Sequence, residues 1–322
     1  MPEATFKLRL LGAFSILISA IIGLILQIIL AFTLYKGWNT FKGNSFYLIT
    51  VQLMWCDVCA LILDLYVAFP LILTGVQVRI FERNYMGDSI LFYYGPLFFE
   101  GIAFNGIFLL SFFLTTNRFL LFVCQRLHAK LFTIRGTKIM SALVWIYVFV
   151  FMGLSNVFGC TKQFSKEYFY FWYNCSKSVP GKFHFKNYMD IQGYSIPCAM
   201  LLMYFVIYVK IRMTTYGTRI VGDARVKREI RYLVQTILIC FLLGVEIIAF
   251  ITIPFLNVSG YTHFYLNILL NLLLVINNLT TPVVLLAFNW EIRKFLRIAL
   301  HLRRSCNPVT SLSVALSRKS RT

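Results

Sequence analysis

The hydrophobic positions of this chain neither alternate nor form a one-sided stripe; they come in long blocks. Seven stretches, roughly 11–35, 45–74, 91–117, 139–158, 188–209, 232–256 and 263–288, are apolar almost throughout. Apolar runs of about 20 residues are what a helix needs to cross a bilayer, where each backbone N–H and C=O must pair within its own segment. A parse that divides 45–74, or drops one weaker stretch, is the alternative. Pro197, Pro254 and Pro282 lie inside these stretches or at their ends, a placement that membrane helices tolerate. The pattern changes after residue 288. "NWEIRKFLRIALHLRR", Asn289 to Arg304, mixes basic and apolar residues at helical spacing, which predicts a short helix lying on the membrane surface. The expected organisation is an all-α membrane protein. A short outer N-terminus (1–10) leads into a seven-helix bundle (11–288), an interfacial amphipathic helix (289–304) and a disordered, Ser-rich basic tail (305–322). So short a segment before the first span argues against a cleaved signal peptide and against an N-terminal ligand-binding domain.

Composition agrees with the block pattern. The 322 residues are 59% hydrophobic and 13% charged, with a mean hydropathy of +0.74, whereas soluble domains carry about 25% charged residues. The net charge of +19 could suggest nucleic acid, but the basic residues fall between the apolar blocks and in the tail, as membrane topology requires. The N-terminus and the segments after the second, fourth and sixth stretches hold 9 Lys and Arg; the other connections and the tail hold 22. Positive residues stay inside, so the N-terminus is expected outside and the C-terminus inside. The sequons at Asn174 and Asn257 then fall on the outer side, as glycosylation acceptors must. No Ser/His/Asp arrangement, metal-ligand spacing or phosphate-binding glycine loop is present, and the four His are scattered, so no enzyme activity is expected. "CDVC" at Cys56–Cys59 has no further ligand in register and reads as packing. The last stretch contains no Lys, which argues against a retinal Schiff base.

Several residues then resemble the rhodopsin-like receptors. Asn117-Arg118-Phe119 is similar to the Asp-Arg-Tyr that closes their third helix, and Trp145 lies 27 residues beyond Arg118, matching the spacing to their fourth-helix Trp. "LMWCD", ending at Asp57, resembles Leu-x-x-x-Asp of the second helix, and Pro197 suits the fifth-helix proline. "TTPVVLLAFNWEIRKF" resembles the seventh-helix Asn-Pro-x-x-Tyr and the helix after it, with Pro282 and Asn289 in register. Asn117, Thr281 and Leu285 depart from that pattern, and Tyr93 stands where a cysteine is expected. With these departures, "NRF", "KREIRYLVQTILICF" and the loop "GCTKQFSKEYFYFWYNC" look like the nematode serpentine chemoreceptors, nearest to serpentine receptor class X.

The resemblance implies a G-protein-coupled chemoreceptor in the plasma membrane of sensory neurons. Its partners would be a small-molecule ligand and a heterotrimeric G protein. A proton-coupled transporter or a ligand-gated channel of seven spans is the alternative. Arg118, with Asn117 and Phe119, would form the inner switch; the other reading is an Arg that snorkels at the membrane boundary. Asp57 would sit in a polar core with Asn277, Asn278, Thr281 and Pro282, either beside a sodium ion or as a protonated carboxyl in a hydrogen-bond network. Glu100, Glu246 and Asp64 are candidate ligand contacts; Glu100 could instead pair with a basic residue of an outer loop. With Tyr93 in place of a cysteine, Cys160 and Cys175 are expected to pair with each other, in the oxidising compartment. Cys306, just past the amphipathic helix, is a palmitoylation candidate.

Overall fold

The computed structural model describes residues 5–74, 79–80, 83–84, 90–165, 169–175, 185–217 and 261–300, with nine scattered residues between 237 and 252. Six of the seven apolar stretches are helices long and apolar enough to cross a membrane. The seventh, 232–256, lies outside the described residues apart from those scattered positions, which are helical. The first span is α1 (Phe6–Lys36), followed by a short turn of helix, α2 (Trp38–Phe41). The second span runs from α3 (Ser45–Leu63) through a π-helical turn, Asp64–Ala68, into α4 (Phe69–Thr74). A small hairpin pairs β1 (Arg79–Ile80) with β2 (Arg83–Asn84). The third span enters by another π-helical turn, Ile90–Tyr94, and continues as α5 (Gly95–Val123). Then come α6 (Gln125–Leu131), the fourth span α7 (Ile134–Val157) and an antiparallel hairpin of β3 (Thr161–Ser165) and β4 (Tyr170–Asn174). The fifth span is α8 (Phe185–Gly217), the last is α9 (Tyr261–Phe288), and α10 (Trp290–Ala299) follows.

Several boundaries differ from the hydropathy blocks, because charge interrupts a hydropathy window without interrupting a helix. The first helix begins at Phe6, not residue 11, and Arg9 in its first turns donates to the Ile72 carbonyl at 3.4 Å. The third continues past Arg118 to Val123, so the arginine lies within the helix and not beyond its end. The amphipathic helix is shorter than the sequence pattern, ending at Ala299, with residues from 301 onward outside the described set.

The ends of the bundle are named from the charge count, with the β3–β4 hairpin at the outer end. α5 is the central helix. In its apolar window 72% of residues are buried, against 22% to 33% for α1, α7 and α8, which turn most of their surface to lipid. It packs on α3, α7 and α8, while α1 lies along α9 and α3. Hydropathy does not separate the two faces of α1, because lipid and protein interior are equally apolar. Its inward face is marked by small residues: Ala13, Ala20 and Gly23 are buried, while Ile18, Ile21, Ile25 and Ile28 are exposed. Small residues let helices approach closely where no hydrophobic drive operates between them. Gly106 of α5 is one such close point: a Cβ there would stand 2.8 Å from Cys56 Sγ and 3.5 Å from the Trp145 ring. Cys56 is therefore a packing residue at the α3–α5–α7 junction. Trp145 is held there by donating to Gln52 Oε1 at 2.9 Å.

Candidate ligand and coupling site

The outer end is closed by the β3–β4 hairpin, whose base is tied by the Cys160–Cys175 disulfide. Strand alternation decides what this hairpin presents downward. In β3, Lys162 and Phe164 are buried; in β4, Phe171 is buried and Trp172 between its neighbours is exposed. The register sets Lys162 opposite Tyr173 and Phe164 opposite Phe171. At position 93, where the receptor pattern has a cysteine, the Tyr93 hydroxyl meets the backbone of Phe164, donating to its carbonyl at 3.4 Å and accepting from its N–H at 3.3 Å. Phe169 enters β4 with φ of 61°, a left-handed conformation unusual for an aromatic residue. It is held from three sides: its carbonyl accepts from the Asn271 side chain of α9, Arg9 lies 5.4 Å from its ring centre, and Phe264 packs at 5.5 Å.

Beneath the hairpin, Lys162 makes an ion pair with Glu100 of α5, the two side chains being 5% and 2% exposed. Glu100 thus meets a basic residue of the outer loop, the second of the two roles the sequence offered it. Three rings surround the ammonium, with centres 4.6 Å (Phe104), 5.5 Å (Phe171) and 5.6 Å (Tyr173) from Nζ. Burial pushes the lysine toward neutrality, but Glu100, Tyr173 and Asp64 outweigh it and hold the ammonium charged above its ordinary range. The Tyr173 phenol is pushed up by burial, with Lys162 opposing and Glu100 adding to the rise. Its hydroxyl is within 3.5 Å of the Asn105 amide, which also donates to the Gly101 carbonyl at 2.8 Å. Asp64 is buried where the π-helical turn begins, and such turns recur at functional sites. Glu246, the third candidate carboxylate, lies outside the described residues, as do Asn257 and Cys306.

A small cavity of about 10 Å³, room for roughly one water, lies beside Glu100, lined by Ala60 of α3, Phe104 and Ile107 of α5, and Leu274 and Asn277 of α9. Asn278 belongs to the same lining. Deeper still, Asp57 is buried and accepts from Gln27 Nε2 at 3.2 Å and from the Thr281 hydroxyl. Gln27 also donates to the Asn278 carbonyl at 3.1 Å, joining α1, α3 and α9. Thr280 turns to its own helix, donating to the Ile276 carbonyl at 2.8 Å. The Gln27 N–H and Thr281 O–H thus both donate to the Asp57 carboxyl, tying it to α1 and α9. Pro282 is buried in α9 one residue beyond Thr281.

At the inner end of α5, Arg118 is 3% exposed and stacks over Phe46 of α3 at 4.5 Å. A charge so enclosed faces the bundle and not the lipid. Asn117 is engaged elsewhere: its amide donates to Ser45 Oγ at 3.1 Å and lies 3.3 Å from His128 Nε2 of α6. Because an amide N–H can only donate, that ring nitrogen accepts. Burial, and then the Arg118 charge, hold His128 below its ordinary value. Phe119 is half-buried against the same inner core. One turn outward, the Thr115 and Tyr204 hydroxyls meet at 3.1 Å and join α5 to α8. Below, Asn289 caps α10 by accepting from Glu291 and Ile292 N–H at 3.0 and 3.2 Å, and its amide donates to Tyr47 at 3.1 Å. Lys162, Gln27, Tyr47, Gln52 and His128 are thus site residues that sequence reading did not single out. The alternation Lys162-Gln163-Phe164 was the one local sign that the lysine points inward.

The described fold is that of a multi-pass membrane helix bundle, and a family model says of what kind: serpentine type 7TM GPCR chemoreceptor Srx matches residues 16–289. The chain belongs to this serpentine chemoreceptor family. No curated protein matches the chain.

Proposed function

We propose that this chemoreceptor binds a small molecule in the outer half of the bundle and activates a heterotrimeric G protein from its inner end. The observation that carries the reading is that α5 bears a buried charged group at each end. Glu100 sits under the hairpin and Arg118 sits 18 residues further on, about 27 Å at a helical rise of 1.5 Å per residue. α5 packs against α3 along its length, with Ala60 beside the cavity at Glu100 and Phe46 against Arg118, so a shift of α5 against α3 alters both ends together. Binding alone does not drive such a shift; the ligand must prefer one arrangement over the other. The receptor would act at the plasma membrane of a sensory neuron, with glycans on Asn174 and Asn257 outside and an acyl chain on Cys306 inside. The test is a small-molecule screen on cells expressing the chain with promiscuous G proteins. A response confined to cells that hold both receptor and G protein supports the reading. Current or substrate uptake that persists without any G protein would replace it with a channel or a transporter.

A further inference from the structure

The geometry points to an ammonium-recognition site under the hairpin that the chain's own Lys162 occupies, and to a small alkylamine as the ligand class that exchanges with it. This rests on the reading of the outer end as the ligand site. The case begins with the surroundings of Nζ. One carboxylate, Glu100, and three aromatic rings, Phe104, Phe171 and Tyr173, enclose it. Ring faces are attractive to cations, and a carboxylate with aromatic walls is the general chemistry by which ammonium ligands are held. A lysine that served only to hold strand to helix would need the carboxylate alone.

The second strand of the argument is where the cage lies. Glu100 and Phe104 are shared between the cage and the cavity that runs inward to Asn277. That cavity holds little more than a water, so an ammonium seated on Glu100 takes the room that the Lys162 side chain gives up, which a short alkyl chain matches in shape. The neighbouring walls, Ala60, Ile107 and Leu274, are apolar. Charge balance favours the same class. Glu100 is buried and Asp64 is close enough to act on Lys162. Replacing one ammonium by another keeps the site neutralised, whereas an anion would add a buried negative charge beside carboxylates, at high cost.

The third strand is mechanical. Lys162 reaches Glu100 from β3, and the hairpin is fastened to the rest of the bundle at Tyr93 and at Phe169. A free amine that takes Glu100 releases the hairpin lysine and leaves those other attachments in place. The exchange thus alters the load on α5 at Glu100 without unfolding the outer end. Because Lys162 is tethered, its effective concentration is in the mM range or above, so a free amine competes poorly in the intact chain and well once the lysine side chain is gone.

The experiment follows thermal unfolding of the detergent-solubilised full chain with n-butylammonium, and with butanol and butyrate as neutral and anionic probes of the same size. Lys162→Ala should unfold at a lower temperature and be raised selectively by butylammonium. The intact chain should show the same selective rise at no less than tenfold higher concentration. Adding Glu100→Gln to Lys162→Ala should remove the rise. If Lys162→Ala does not fold, its surface expression in cells grown with butylamine is the readout, and selective recovery supports the site. Equal response to all three probes, a rise that ignores Glu100→Gln, no selective rise in the intact chain, or no recovery of an unfolded variant overturns the inference. This measurement needs no G protein, so a receptor that fails to signal leaves it standing, and its own failure leaves the signalling reading untouched.

Discussion

At the scale of single residues, the inner end of α5 explains its own departure from the Asp-Arg-Tyr pattern. An acid at 117 would face Ser45 and His128 as well as Arg118. Asn117 donates to both neighbours instead, and Arg118 is supported by the Phe46 ring, an interaction worth about 0.5–2 kcal/mol depending on how dry the site is. Asn117→Asp would supply a carboxylate beside the arginine and strengthen the resting arrangement, so ligand-free signalling should fall; unchanged basal signalling would refute this. His128 makes the same cluster sensitive to acid. Its folded value lies below the ordinary 6.5, so the neutral ring's contribution is complete above about that pH and is lost as pH falls through the folded value. Unfolding temperature should therefore drop on acidification below pH 6.5 more steeply for the intact chain than for His128→Gln. Parallel pH curves would remove His128 from the account.

At the scale of elements, the short helix after the last span is fixed more firmly than a surface-bound helix needs. Asn289 caps it, Tyr47 ties that cap to α3, and Phe295 packs edge-on against Phe41 at 5.1 Å. Asn289→Ala removes the cap, at a cost of about 1 kcal/mol, together with the link to Tyr47. A measurable fall in unfolding temperature is expected, and no change would show that α10 is held by its apolar face alone. Element by element, what was legible in the sequence is what is local along the chain. The blocks of α1, α3, α5, α7, α8 and α9 follow from hydropathy, the helix α10 from the basic and apolar pattern that opens at Asn289, and the Cys160–Cys175 closure from the loop they bracket. The contacts that build the site were not legible, because each joins residues far apart in sequence. Gln27 reaches Asp57 across 30 residues and Lys162 reaches Glu100 across 62. Nothing in hydropathy distinguishes the face of α1 that carries Gln27 from its lipid face. A lone lysine in a polar loop reads as solvated until strand alternation turns it inward.

At the scale of the whole molecule, polar groups form a broken line through an apolar bundle. Glu100 and Lys162 lie at the top, Asn277 and Asn278 along the cavity, Asp57 with Gln27 and Thr281 below, and Arg118 at the base. An ionised side chain at the centre of a membrane helix costs about 3 kcal/mol on insertion scales. Burying several in one bundle is reasonable only if partners offset the cost, and each of these has them. Such partners also make the arrangement two-ended: what loosens one pair changes the packing of α5 on α3, which also carries the other. The central claim is that the outer end binds and Arg118 couples. It is tested most directly by comparing ligand binding and G-protein nucleotide exchange on the same purified receptor, intact and Arg118→Ala, with a ligand found by screening. Binding kept and exchange lost in the variant is the predicted result. Exchange that survives Arg118→Ala unaltered would contradict it.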